Sequence, residues 1–238
     1  RWLILAILGL PASLIRFVID PEKIVTKAGI NWEMIPWGPI AALFLAGIIG
    51  SIFIAGYTVR IYRGTRPAPG FTGWPSLFID GIKVDIVMLV WFLPALILLL
   101  AQLAMLLGMI TSSGSPPSAG IFLIMMLLLP VELILFLVAL LFAIPGAVRF
   151  SRTGSMAEGW RFSAILGIIR RIGWWHYLIA FLIIIVISFL FSLASSIPAS
   201  IPYVGWLVPI ALAPFLTVFV ARYFTVVYMA GEEHPAVP

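Results

Sequence analysis

The chain has 238 residues, 63% of them hydrophobic and 10% charged, with a mean hydropathy of +1.20 and a formal net charge of +5. Soluble domains carry about 45–50% apolar and roughly 25% charged residues, so this composition excludes one and leaves an integral membrane protein. With no cysteine there is no disulfide framework, no thiolate zinc site and no cysteine nucleophile.

Backbone polar groups in lipid must be satisfied within the protein, by helices or closed barrels. The apolar runs here are continuous rather than alternating, which selects helices. The expected fold is all-α: a single integral membrane domain, a polytopic bundle of about six transmembrane helices. Two short cytoplasm-side interfacial helices and an internal parallel hairpin repeat complete it. The basic surplus would point to nucleic acid in a soluble protein. Here it sits at helix ends, where it sets orientation instead, and no nucleic-acid partner is expected.

Span 1 covers residues 2–19 and reads as an anchor, because no small-residue cleavage pattern follows and Arg16 lies near its far end. A polar connection, residues 20–37, leads to span 2 at 39–62. There Gly47, Ser51 and Ala55 fall four apart on one face, suited to close helix packing within the chain. Arg60, Arg63 and Arg66 close this span, and a Pro/Gly-rich turn follows. The next stretch, G-W-P-S-L-F-I-D-G-I-K, runs from Gly73 to Lys83. Trp74, Leu77, Phe78, Gly81 and Ile82 recur in it at i, i+3, i+4, i+7 and i+8, one face of a short helix. Flanked by Asp80 and Lys83, that helix is expected to lie in the interface with its apolar face inward.

Span 3 follows at 84–110, bent near Pro94, and span 4 at 121–148 contains Pro130 and Pro145. A second loop brings Arg149, Arg152, Arg161, Arg170 and Arg171. Span 5, at 172–196, opens with Trp174, Trp175 and Tyr177, an aromatic cluster of the membrane interface. Span 6, at 204–229, precedes a short polar tail. With the N-terminus inside, eleven basic residues face the cytoplasm, against Arg16, Lys23 and Lys27 outside. The positive-inside rule then puts both termini on the cytoplasmic side of the cell membrane.

The Gly73–Lys83 stretch has a looser copy at Gly159 to Arg170, in which Trp160 matches Trp74 and Gly167 matches Gly81. Upstream, V-R-I-Y-R (Val59 to Arg63) is echoed by V-R-F-S-R (Val148 to Arg152), and A-R-Y-F-T-V-V-Y (Ala221 to Tyr228) reads as a half copy. Both full units run in the same direction, giving a pseudo-axis along the membrane normal. Some transporters are built this way, and so is any duplicated hairpin.

G-Y-T-V-R-I-Y-R-G-T-R (Gly56 to Arg66), the Gly73–Lys83 stretch and R-F-S-R-T-G-S (Arg149 to Ser155) together resemble a mostly archaeal multi-pass membrane family, domain of unknown function 4013. Tyr57, Arg60, Trp74, Leu77, Phe78, Asp80, Gly81 and Lys83 match its most specific part. The spacer Pro67 to Thr72 departs from it in lacking acidic residues. The resemblance implies a helical membrane protein and assigns no activity.

Glu132 stands two residues after Pro130 in the middle of span 4, where an ionised side chain is costly. Two readings are open: a proton- or cation-linked site, with Gln102 as partner, or a protonated acid hydrogen-bonded to a neighbouring helix. Asp80, Lys83 and Asp85 surround the entry to span 3 and are expected to form an interfacial charge network rather than a headgroup or metal site. Arg63, Arg149, Arg152, Arg161, Arg170 and Arg171 are candidate contacts for anionic lipid headgroups, each worth about 1 kcal/mol near the surface. His176 and His234 are far apart and no H-E-x-x-H, G-x-S-x-G or P-loop occurs, so neither metal, cofactor nor catalytic residue is expected. The leading reading is a non-enzymatic scaffold or accessory subunit that packs against lipids, itself or other membrane subunits. The alternative is a small transporter or channel using Glu132. An enzyme acting on lipid ranks third.

Overall fold

Every long apolar run is helical. The computed structural model describes residues 1–19, 24–26, 29–64, 68–111, 119–199, 201 and 205–233. Arg66, Lys23, Lys27 and His234, used above, lie outside the described residues. In chain order the helices are α1 (Trp2–Val18), α2 (Trp37–Tyr62), α3 (Trp74–Thr111), α4 (Ala119–Thr153), α5 (Met156–Trp160), α6 (Phe162–Ile172), α7 (Trp174–Ala199) and α8 (Leu207–Glu233). Between α1 and α2 lie a minimal antiparallel hairpin, β1 (Val25–Thr26) with β2 (Gly29–Ile30), and a 3-10 turn at Trp32–Met34.

Among the described residues, five helices (α2, α3, α4, α7 and α8) are long and apolar enough to cross a membrane. The sixth expected span, α1, is apolar but only 17 residues long. At 1.5 Å per residue it reaches about 25 Å, short of a hydrocarbon core of about 30 Å. It stops at Ile19, whose backbone is extended (φ −92°, ψ 119°).

The first interfacial segment is also corrected. Gly73–Lys83 is not a separate helix, because α3 runs unbroken from Trp74 through the expected span. Its second copy does stand apart: α6 ends at Gly173, whose φ of +89° breaks the helix before α7. A left-handed residue suits glycine, which has no Cβ to clash. At the matching point of the first copy stands Val87, a β-branched residue that cannot end a helix this way. One residue thus decides between a continuous helix and a helix-turn-helix.

Alternate helices bring one polar end together. The exits of α2, α4 and α8 and the entries of α3 and α7 meet there, with α5 and α6 packed against them. The core sits at this arginine-bearing end: Tyr57, Val59 and Ile61 of α2, Leu77, Val84 and Val87 of α3, Val148 and Phe150 of α4, Ile165 and Ile169 of α6, and Phe224 and Tyr228 of α8. α8 is the hub, touching α1, α2, α4, α6 and α7. Toward the other end α3 and α4 pair mainly with each other, and none of the most apolar 18-residue stretch of α4 is buried.

Close backbone approach occurs at glycines, though not at the expected ones. A Cβ on Gly56 would collide with the Leu77 carbonyl, and one on Gly81 with the Ile52 carbonyl, so α2 and α3 cross backbone to backbone. Gly50 meets α1 at Leu8 in the same way. Gly47 makes only ordinary contact with Ala12 at 3.8 Å, and Ser51 is exposed. Gly167, the expected counterpart of Gly81, has open space where its Cβ would lie. In the second copy Gly146 and Gly159 bring α4 and α5 together instead.

Proline makes the other junction. Pro145 has no N–H, which leaves the Leu141 carbonyl of α4 without its helical partner. The Tyr177 hydroxyl of α7 donates to that oxygen at 2.7 Å. Tyr177 is therefore buried in the core, while its neighbours Trp174 and Trp175 remain exposed as interfacial residues should be.

Two outcomes follow for the purified chain in detergent. Gly81→Ala should cost about 1–3 kcal/mol through overpacking, whereas Gly167→Ala should be neutral or slightly stabilising in its helix; thermal unfolding of the pair reads the contrast. Tyr177→Phe orphans the Leu141 carbonyl and should cost about 1–3 kcal/mol, visible as a lower melting temperature without loss of helical circular dichroism.

Candidate functional site

The family-like motif folds into a latch at the arginine end. Arg60, in the last turn of α2, reaches across the α2–α3 connection and donates to the carbonyls of Gly70 (2.9 Å) and Gly73 (3.3 Å) and to Ser76 Oγ (3.0 Å). Gly73 takes a φ of +65° to turn the chain into α3. Tyr57 stacks flat on Phe71 with ring centroids 4.5 Å apart, and Trp74 packs against both Phe71 and Phe53. Leu77 is fully buried, Phe78 leans on Phe53, and Gly81 makes the helix crossing. Trp74 and Ile82, expected on the inward face, sit at its exposed margin. Each motif residue except Lys83, which is half-buried, is thereby occupied in closing the α2–α3 hairpin.

The second arginine segment is wired differently. Arg149 donates through Nε to Glu158 Oε2 at 2.8 Å, and through Nη2 to the same oxygen. Arg161 reaches the other oxygen of Glu158 at 3.1 Å. Arg152 pairs with Glu232 at 2.6 Å and lies 5.8 Å above the Tyr228 ring. Arg63 connects the segments: its Nη2 binds Asp80 Oδ2 at 2.8 Å, and its Nε donates to the Ser151 carbonyl at 3.1 Å, tying α2 to α4. Trp160 is not an interfacial twin of Trp74. Its indole donates to the Val87 carbonyl at 3.4 Å, while Trp91 donates to the Gly159 carbonyl at 3.0 Å, a reciprocal clasp between α3 and α5.

After these pairings a positive surplus remains. Arg60, Arg63, Lys83, Arg149, Arg152, Arg161, Arg170 and Arg171 stand at this end against Asp80, Asp85, Glu158, Glu232 and Glu233. Arg170 and Arg171 are exposed in the last turn of α6, where a cation also complements the helix dipole. Glu158, outside the long helices, has its carboxyl held below the ordinary glutamate value of 4.5, by its hydrogen bond from Arg149 first and that from Arg161 second.

Within the spans, Gln102 is buried and its Nε2 donates to Glu132 Oε2 at 2.7 Å, across the α3–α4 seam. Sequence reasoning put these two residues forward together, and the helix pairing brings them into contact. It did not foresee Glu158 and Glu232 as arginine partners, since neither carries a motif. The Tyr177 link was foreshadowed only by the carbonyl that Pro145 must release. No cluster of three or more metal-ligating side chains occurs among the described residues. A separate cavity of about 220 Å³ lies between α1, α2 and α8, lined by apolar and small residues with Ser13 and Thr217.

A family model described as a protein of unknown function (DUF4013) matches residues 40–200, more than half of the chain. No curated protein and no solved structure matches it.

The Glu158 contacts have a pH signature. A carboxyl with a depressed folded pKa contributes stability above its unfolded pKa and loses that contribution as pH falls through the folded value. The wild-type chain should therefore melt above Glu158→Gln at neutral pH, and the gap should close as pH drops below 4.5, measured by thermal unfolding across that range.

Proposed function

The chain belongs to the family described as protein of unknown function (DUF4013), and on that premise we propose that it is a non-enzymatic structural subunit of a membrane assembly. The observation that carries this reading is how the polar side chains are used. Inside the spans Gln102 and Glu132 engage each other. At the arginine end the motif residues hold loops, helix crossings and carboxylates. Among the described residues little is left poised for chemistry on a substrate, whereas α3 and α4 present long apolar flanks such as Leu99, Leu103, Phe122, Leu127 and Leu133 toward the membrane. Lipid and neighbouring membrane subunits, including further copies of the chain, are the partners that such flanks suit. The arginine end faces the cytoplasm in this reading, in keeping with the positive-inside rule.

A small transporter using Glu132 has weaker support. An ion-coupling carboxylate works from a hydrated cavity, and Glu132 instead shares a hydrogen bond at a helix seam and does not line the α1–α2–α8 cavity.

Extraction from native membranes in mild detergent, sized against the purified 26.1 kDa chain, should give a larger stoichiometric complex. Glu132→Gln keeps an oxygen for Gln102 and should change neither complex size nor the background proton flux of liposomes. A lone monomer from native membranes, together with a wild-type proton flux that Glu132→Gln abolishes, would overturn the structural reading in favour of transport.

A further inference from the structure

The ends of α2 and α4 converge on an open pocket of about 490 Å³ lined by Arg63, Ser151, Arg152, Thr153 and Gly154. Its two arginines hold the same place in the two V-R-x-x-R segments. In each segment the valine (Val59, Val148) is fully buried, and the arginine one turn later stands at the helix exit. A buried anchor thus fixes where each guanidinium emerges.

Both guanidiniums are oriented by their neighbours. Arg63 is held by the Ser151 carbonyl and Asp80, and Arg152 by Glu232 and the Tyr228 ring. Each has N–H groups beyond those bonds, since a guanidinium carries five. The carbonyls at the end of α4 would repel an anion, but Arg63 covers one of them by donating to Ser151. Gly154, at φ +73°, has open space where a Cβ would lie, so the mouth is not narrowed. The arginine side chains are 40% and 29% exposed. The Arg152–Glu232 pair is open on both sides, and such pairs are weak and exchange readily; Asp80 is only 16% exposed, so Arg63 turns to the pocket the N–H groups it does not give to Asp80, and both arginines sit in the positive surplus described above.

We propose that this pocket binds a phosphate-bearing anion, with Arg63 and Arg152 as its two clamping groups, Arg152 in exchange for Glu232. The planar fork of each guanidinium matches a pair of phosphate oxygens, and two such forks converging on one pocket suit a dianion better than a carboxylate. The group comes either on a lipid headgroup in the adjacent leaflet or on a soluble phosphate ester. The inference rests on the arginine end lying at a polar membrane face, and not on the chain being a structural subunit.

The test uses the purified full chain in two arms. In phosphatidylcholine nanodiscs it is titrated with inorganic phosphate and glycerol 3-phosphate; separately it is placed in nanodiscs doped with increasing phosphatidic acid. Tryptophan-detected melting and calorimetry read binding. Saturable binding of the soluble anions identifies a soluble ligand, and a saturable response to phosphatidic acid alone identifies a headgroup; both support the site. Arg152→Gln should weaken binding about tenfold, as expected for losing one charge-assisted contact. Glu232→Gln, which removes the competing carboxylate, should strengthen it, a gain that misfolding cannot produce. Arg161→Gln, whose partner is Glu158, should leave it unchanged. No saturable binding in either arm, an equal loss in Arg161→Gln, or no gain in Glu232→Gln would overturn the proposal. Each of those results leaves the size of the native complex, the test of the structural reading, unaffected.

Discussion

Two backbones touch where α2 crosses α3, and the arginine end depends on that contact. Gly56 and Gly81 leave no room for a side chain between the helices, each facing a main-chain carbonyl of the other. Crossing this close is what small residues allow in a membrane, where water supplies little drive for helices to associate and packing must supply it. The crossing buries Leu77, brings Phe78 onto Phe53, sets Arg63 beside Asp80, and lets Arg60 span the connection to bind its carbonyls. A motif that could pass for a binding signature is, residue by residue, the closure of one hairpin.

The second hairpin solves the same problem with other parts. Gly173 breaks the helix that Val87 lets continue, so α6 lies apart and must be fastened by its own contacts. Ile165, Ile168 and Ile169 bury one of its faces, and Gly231 admits it against α8. Glu158 gathers Arg149 and Arg161, and the Trp91 and Trp160 indoles clasp α5 to α3. Similar sequence segments therefore carry different loads: the Gly81 position is a crossing in one copy and, at Gly167, open space in the other.

Polar groups inside the bundle find their partners on neighbouring helices. With no water to satisfy a carbonyl that proline has released, a neighbouring helix must supply the donor. Tyr177 does so at Pro145, joining α7 to α4. No proline releases the Ala180 carbonyl, and there the Tyr223 hydroxyl adds a second hydrogen bond to a helical carbonyl, at 2.8 Å, holding α7 to α8. Gln102 and Glu132 satisfy each other directly, side chain to side chain. The packed end and the sparsely packed flank of α3 and α4 follow from this arrangement: donors, glycines and aromatic contacts concentrate near the arginines, and beyond them α4 has little but α3 to touch.

Composition and uninterrupted apolar runs by themselves determined the class of protein and where its long helices lie, because lipid permits few alternatives to a helix of sufficient length. The clustering of arginines at alternate helix ends likewise followed from the sequence, since span count and chain direction place those residues at one end. The 3.6-residue period that suggested a separate interfacial helix at Gly73 is equally satisfied by the first turns of a longer helix. Only the backbone at Val87 and Gly173 distinguished the two. Which glycines carry the crossings, which carboxylate each arginine takes and which donor reaches Leu141 were decided by the tertiary structure. These are meetings between residues as far apart as Arg63 and Ser151 or Arg152 and Glu232, and local periodicity contains no term for which helices will be neighbours.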